Sequence, residues 1–421
     1  MTTLAHSPDA VVDVRALVER RVCGYSLEAP FYTSPAVFDL DIEAVWSRTW
    51  LFVANEAEVA EPGDYVTVQV GSYSVMILRD DDEVVRAFHN VCRHRGARIL
   101  NDRAGSVGNI VCGYHQWTYS TDGTLMHAGE QPAAFDKGCF GLRPVQVRLA
   151  AGLVFICLAE EAPDDFDEVV ARVTPYLVPH QLHRTKVAAQ YDLVEEANWK
   201  LVMENNRECY HCEAGHPELT CTFFPTYGYR GSVPARLQPA HERYLAAEAE
   251  LERACLSRDL PYAEIEQLDD RVSGFRIQRE ALDGAGESYT ADGRAASSKL
   301  LGELDSPRLG RLSLHTQPNS WFHFLADHAV TFAALPVSAD RTLIRTTWLV
   351  HEDAVEGRDY DLERLTSVWR HTNAQDSVFC ARAQAGVSSP AYQPGPYAPS
   401  EYQVEAFISW YVDRLREHLD R

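Results

Sequence analysis

Residues 90–98 and 111–117 read Asn-Val-Cys-Arg-His-Arg-Gly-Ala-Arg and Val-Cys-Gly-Tyr-His-Gln-Trp. Each segment sets one thiol and one imidazole two or three positions apart, and seventeen residues separate His94 from Cys112. Four soft donors in two short, evenly built segments demand a fold that brings two loops to one point. The text around them is strand-like. DYVTVQVG, YSVMILRD and EVVRAFHNV alternate apolar with polar residues from about residue 64, broken by Asp-rich turns, which is the signature of short antiparallel strands. GNIVCGY, QWTYSTDGTL with its Asp122-Gly123 turn, PVQVRLA and GLVFICLA continue the run to about Glu160. An all-β domain over residues 46–160 is expected, with Cys92, His94, Cys112 and His115 in its loops.

Two Cys and two His can bind structural zinc. Each pair here mixes one of each, however, and that suits a [2Fe–2S] centre in which two thiolates hold one iron and two imidazoles the other. Neutral imidazole in place of two thiolates removes negative charge and raises the reduction potential, as a relay to another iron requires. Gly96 and Gly113 are expected to allow the tight turns that aim amide N–H groups at the sulfurs.

After the linker-like EEAPDDFDE the pattern lengthens to helical spacing, followed by a strand in AAQYDLV and a helix expected at about residues 195–214. A charged stretch at 240–270 reads as external helices. Three apolar strands follow, in SWFHFLA, AVTFAALP and TLIRTTWLV, then helices at about 358–385 and 401–419. The fold class is therefore α+β. The all-β domain precedes a catalytic domain over 161–421, an antiparallel sheet with surrounding helices, and residues 1–45 form a helical segment packing on that domain.

Formal charge of −22 argues against nucleic acid, whose phosphates need clustered Lys and Arg. The first twenty residues carry no basic start followed by an apolar run, and no stretch reaches the ~20 apolar residues that span a bilayer. A cytoplasmic protein without membrane partners is expected. Its ten cysteines are irregularly spread, so no disulfide framework is expected; Cys209 and Cys212 are read as buried thiols deep in the 195–214 helix.

That helix ends in Asn-Trp-Lys-Leu-Val-Met-Glu-Asn-Asn-Arg-Glu-Cys-Tyr-His-Cys-Glu-Ala-Gly-His-Pro-Glu, residues 198–218. His211 and His216 with one carboxylate would make a facial triad, leaving three positions open on iron for O₂ and substrate. By themselves, two His among several Glu describe a solvent-facing helix just as well.

The 46–160 span resembles the Rieske domain of ring-hydroxylating oxygenase α subunits, with all four ligands matched. The 198–218 string is similar to that family's catalytic motif, in which a carboxylate precedes a His-x4-His pair by three residues and the last iron ligand comes from a late helix. The resemblance implies mononuclear Fe(II) held by His211, His216 and Asp376, with Glu208 in the bridging carboxylate position; Glu204 and Glu213 compete for the third ligand. It also implies a homotrimer in which Glu208 joins one subunit's cluster to its neighbour's iron, and a separate flavin and [2Fe–2S] reductase fed by NADH. Most relatives carry Asp where Glu208 stands. Glu, together with NNRECYHCEAGHPEL and LSLHTQPNSWFHFLADHAVTF, resembles the branch that acts on quaternary ammonium compounds. The implied function is the oxygenase component of a monooxygenase that N-demethylates such a compound, glycine betaine first, with stachydrine or carnitine as alternatives. Aromatic-ring dihydroxylation and a plain Rieske electron carrier are the rival readings. Phe223, Phe224, Tyr227, Tyr229, Trp321, Phe322 and Phe324 are candidates for an aromatic cage around the cation.

Overall fold

Alternation in the N-terminal half becomes a seven-stranded antiparallel sheet. Its order is Leu51–Asn55, Leu153–Cys157, Pro144–Ala150, Val85–His89, Tyr73–Arg79, Asp64–Val70, Ala104–Ser106. A three-stranded sheet of Ile110–Val111, Thr118–Tyr119 and Leu125–His127 stands beside it. The Asp122-Gly123 turn closes the last hairpin, with Asp122 accepting from the Thr124 amide at 2.8 Å and Gly123 at φ +86°. The computed structural model describes residues 12–227, 229 and 233–421, so the first eleven residues of the expected N-terminal segment lie outside the described residues.

The second half is built on another seven-stranded antiparallel sheet, ordered Thr185–Glu195, Arg341–His351, Ala329–Ser338, Ser320–Phe324, Arg311–Thr316, Phe275–Glu280, Ile265–Gln267. Strand side chains alternate between faces, and here the two faces differ in chemistry. Phe275, Ile277, Leu312, Leu314, Phe322 and Phe324 share one core with Trp50, Phe52, Phe155 and Phe166. The intervening Arg276, Glu280, Arg311, Ser313, His315, Trp321 and His323 line a cavity. The two sheets meet where Phe52 packs edge-on against Phe322 at 4.7 Å and the Asn319 amide donates to the Phe52 carbonyl at 2.9 Å.

Two expectations change. Phe275–Glu280 and Arg311–Thr316 are strands whose charged cavity-facing residues hide the apolar signal. The helix expected at 195–214 is three pieces: the strand runs through Glu195, a helix occupies Trp199–Asn206, and a turn leads to a short helix at Cys212–Gly215. Asn198 starts the first helix by accepting from the Lys200 amide at 3.0 Å. Glu208 prevents its continuation, because its carboxylate accepts the main-chain N–H groups of Tyr210 and His211. The two final helices are Leu362–Val387 and Tyr402–Leu419, and the charged stretch is one helix, Gln238–Leu256, burying Leu251 and Cys255.

Helices at Val14–Glu19, Pro30–Thr33 and Pro35–Asp41 are tied to the second half through Asp41. Fully buried, it accepts from Lys200 Nζ, Trp199 Nε1 at 3.0 Å and the Tyr411 hydroxyl at 2.7 Å. Removing one partner of a buried pair strands the other charge. Asp41→Ala should therefore cost about 3–5 kcal/mol in chemical denaturation; a loss below about 1 kcal/mol would show that Lys200 finds other compensation.

Candidate metal centres

The two Cys–His loops are close copies. In the first, Cys92 N donates to the Ala97 carbonyl and Gly96 N to the Cys92 carbonyl, at 2.8 and 3.0 Å. In the second, Cys112 N donates to the Trp117 carbonyl and Gln116 N to the Cys112 carbonyl, at 2.9 and 3.0 Å. The left-handed residue is the same position of each loop, Gly96 at φ +74° and Gln116 at φ +58°. Gly113, expected to serve this purpose, is not left-handed.

Those loops bury Cys92 and Cys112 and turn His94 Nδ1 and His115 Nδ1 toward each other at 3.1 Å. The His94 ring lies flat on Trp117 at 4.8 Å, and the Tyr119 hydroxyl is 3.3 Å from Cys92 Sγ. Burial raises the Cys112 thiol above its ordinary value, and the adjacent Cys92 adds to this. Two buried sulfurs and two imidazole nitrogens turned toward each other form a donor set that fits a [2Fe–2S] cluster.

At the second site, His211 Nε2 and His216 Nε2 are 3.0 Å apart. Asp376 Oδ1 lies 3.3 and 3.1 Å from them. Their outer faces are held as well. Glu208 Oε1 meets His211 Nδ1 at 2.5 Å, and Gln375 Oε1 meets His216 Nδ1 at 2.8 Å while its amide donates to Glu218 at 2.7 Å. Asn205 Nδ2 donates to Asp376 Oδ1 at 2.8 Å. Partners at Nδ1 fix ring orientation and leave both Nε2 atoms pointing inward, an arrangement that fits a ferrous two-histidine, one-carboxylate site. Burial works against charge on His211, but hydrogen bonds to Asp376 and Glu208 prevail and raise it to about 9; a metal ion would take the place of that proton.

The competing acids lie elsewhere. Glu204 accepts from the Tyr32 and Tyr397 hydroxyls at 2.8 and 3.1 Å, and Glu213 pairs with Arg236. Cys209 and Cys212 form a disulfide, correcting the expectation of free thiols inside a helix. The break after Arg207 brings their Cα atoms to 5.0 Å, a spacing a bridge can span. Cys212 Sγ lies within 4.8 Å of the imidazole donors, but its valence is taken by Cys209.

A cavity of about 120 Å³ opens on this site. Of the expected cage residues, Phe223, Tyr227 and Trp321 line it. Arg311 already stands over the Phe223 and Tyr227 rings, at 4.6 and 4.5 Å. Phe322 and Phe324 face the opposite core, Phe224 packs on Tyr244 at 5.4 Å, and Tyr229 does not line the cavity. Gln375, Asn205, Arg207 and Trp369 escaped the sequence reading. Trp369 and Thr372 share a helix face with Asp376 at three- and four-residue intervals, a spacing that could have revealed them.

Residues 49–142 match the family described as Rieske [2Fe-2S] domain, and 182–417 match ring hydroxylating alpha subunit (catalytic domain). The chain belongs to the Rieske ring-hydroxylating oxygenase α-subunit family. The glycine betaine monooxygenase oxygenase subunit of Chromohalobacter salexigens is 41% identical to this oxygenase over 423 residues, spanning 99% of this chain and 91% of its own. The protein of the same name from Pseudomonas aeruginosa strain UCBPP-PA14 is 40% identical over 406 residues, with coverage of 96% and 92%. A quaternary ammonium Rieske monooxygenase solved with its substrate gamma-butyrobetaine shares the fold at TM-score 0.68 and 23% identity, over 94% of this chain and 97% of that one. Among the described residues of the oxygenase, no helix is long and apolar enough to cross a membrane.

The paired loops give a test of local strain. A Cβ added to Gly96 or to Gly113 meets nothing within 4 Å, so only backbone conformation distinguishes them. Gly96→Ala should cost about 1–2 kcal/mol in thermal or chemical unfolding, while Gly113→Ala should be neutral. The reverse ranking would contradict the loop geometry.

Proposed function

We propose that this oxygenase is the terminal component of a monooxygenase that removes a methyl group from a small betaine, with glycine betaine as its substrate. The observation that carries the reading is the cavity beside His211, His216 and Asp376, whose walls present Arg207, Arg276, Arg311, Glu280, His315 and His323 together with aromatic rings. Charged walls suit a zwitterion. An unsubstituted aromatic ring would leave buried Arg207, which pairs with no carboxylate among the described residues, without a counter-charge, so ring dihydroxylation is the weaker reading. The full-length relatives, two glycine betaine monooxygenase oxygenase subunits, support the same reading.

By this reading Cys92, His94, Cys112 and His115 hold the [2Fe–2S] cluster, and His211, His216 and Asp376 hold Fe(II). When bound, the two groups supply electron relay and O₂ chemistry. The protein's share is orientation: Glu208 and Gln375 fix the imidazoles, Asn205 fixes the carboxylate, and Trp321 and Trp369 offer π faces to the ammonium. In the overall reaction one oxygen atom enters an N-methyl C–H bond. The other leaves as water, taking two electrons from NADH through a separate flavin and [2Fe–2S] reductase and two protons, one from NADH and one from solvent. The N-hydroxymethyl product then breaks its N–C bond, the electron pair staying on nitrogen and the hydroxyl proton passing to solvent, to give dimethylglycine and formaldehyde. Assembly as a homotrimer would set Glu208 beside a neighbour's cluster.

Purified oxygenase with reductase, NADH and glycine betaine should release formaldehyde in step with NADH oxidation. Consumption of NADH without formaldehyde from any betaine would sink this reading. Iron analysis separates the oxygenase from a one-site electron carrier: His211→Ala should lose the mononuclear iron, one iron in three, and keep the visible cluster spectrum. Unchanged iron content in that variant would remove His211 from the site.

A further inference from the structure

Three arginines face the cavity, and two of them are spoken for. Arg311 pairs with Glu280 at 2.7 Å and donates to the Tyr289 hydroxyl at 2.9 Å. Arg276 meets Glu264 and Glu266, each at 3.1 Å. Arg207 is different. It is 2% exposed, and among the described residues it pairs with no carboxylate. Its Nη1 donates to the Asn206 side chain at 2.6 Å and its Nη2 reaches the Thr316 and Ser320 carbonyls at 3.4 and 3.3 Å. Its Nε is buried with no partner. Burial alone drives the guanidinium down to about 9, and no neighbouring acid opposes that.

A buried cation without a counter-charge is costly. The contacts Arg207 does make pin it to the hairpin joining Arg311–Thr316 to Ser320–Phe324 and hold the fork in one place. His315, half-buried with its Nδ1 enclosed and unpartnered, feels Arg207 before any other charge and is kept neutral by desolvation and by that charge. It can therefore stand beside an anion as a neutral donor. Such an arrangement lacks one thing, an anionic group delivered through the cavity.

We propose that Arg207, seconded by His315, is the anchor for the substrate's carboxylate and so sets specificity for betaines over other quaternary amines. The inference rests on the demethylase reading above and extends it to a named residue. Chain length supports the pairing. Glycine betaine carries its carboxylate one methylene from nitrogen, so the anchor must share a small cavity with the residues that face the reacting methyl, and Arg207 lines the same cavity of about 120 Å³ as His211, His216 and Asp376. Planar, two-pronged recognition of a carboxylate is what guanidinium offers and an ammonium does not.

The test compares glycine betaine with choline, a quaternary amine of similar size without a carboxylate, on the reconstituted oxygenase. Calorimetric affinity and formaldehyde release are read for each. In Arg207→Gln, affinity for glycine betaine should fall by about 30-fold or more with choline little changed, and Arg207→Lys should recover only part of the loss. Cluster absorbance and melting temperature report whether the variants fold. A merely structural Arg207 would weaken both ligands alike, and that result overturns the proposal. So does a wild-type protein that binds choline as tightly as glycine betaine, an arm that needs no variant. A wild type that demethylates no betaine defeats the parent reading instead, while one that demethylates betaines without excluding choline defeats the anchor alone.

Discussion

The carboxylate of Glu208 ends a helix, and the second site depends on that ending. By accepting the Tyr210 and His211 amides it supplies the hydrogen bonds that continued helix would have made and lets the chain leave the helical path at Arg207. Had the helix run on to residue 214, His211 and the residue five places on would point about 140° apart around its axis. No single ion could reach both. In the broken chain their Nε2 atoms are 3.0 Å apart, and the carboxylate that broke the helix also holds His211 Nδ1. One side chain thus shapes the backbone and orients a donor, which gives a reason why a side chain longer than Asp is workable here: it must reach forward to the Tyr210 and His211 amides and to the His211 ring.

The catalytic sheet shows how a polar cavity can be built in a protein interior. Alternation alone supplies the geometry, since residues at even steps in Phe275–Glu280, Arg311–Thr316 and Ser320–Phe324 face one side. The energetic difficulty is charge burial, and pairing meets it in two of three cases. Arg311 with Glu280 and Arg276 with Glu264 and Glu266 are neutralised sets. Arg311 further spends its face on Phe223 and Tyr227. The remaining π surface that lines the cavity belongs to Trp321, stacked on Phe332 at 4.9 Å, and Trp369, stacked on His323 at 4.6 Å. Rigid stacking of this kind pre-sets ring faces before a cation arrives, which lowers the entropy lost on binding.

How much was legible in the sequence follows the same physics. The N-terminal sheet announced itself because Asp64–Val70 alternates apolar with polar residues and neighbours such as Tyr73–Arg79 are short apolar runs between turns, and the Cys92–His94 and Cys112–His115 loops because metal donors at short spacing are rare by chance. The α+β class and the two late helices were readable for similar reasons. Phe275–Glu280 and Arg311–Thr316 were not, since their buried Arg and Glu residues imitate a solvent face and only tertiary pairing reveals them as interior. The helix break was invisible because local propensity favours helix through residue 214; the winning interaction is a side-chain to backbone hydrogen bond that competes with helix. Gln116 was passed over because a left-handed non-glycine residue leaves no mark in sequence.

The two donor sets also differ in how they meet the surface. Cys92 and Cys112 are sealed, while His94 and His115 sit half-buried with Tyr114 beside them 57% exposed. The second site inverts this: His216 is 1% exposed, and the more open imidazole, His211, is the one attached to Glu208. Beside that Glu208–His211 edge Tyr210 is 63% exposed. Each chain thus presents an imidazole edge and a carboxylate-backed imidazole edge toward its surface. That ordering follows from burial: the groups that hold charge most cheaply are outermost, and those that need exclusion of water lie within.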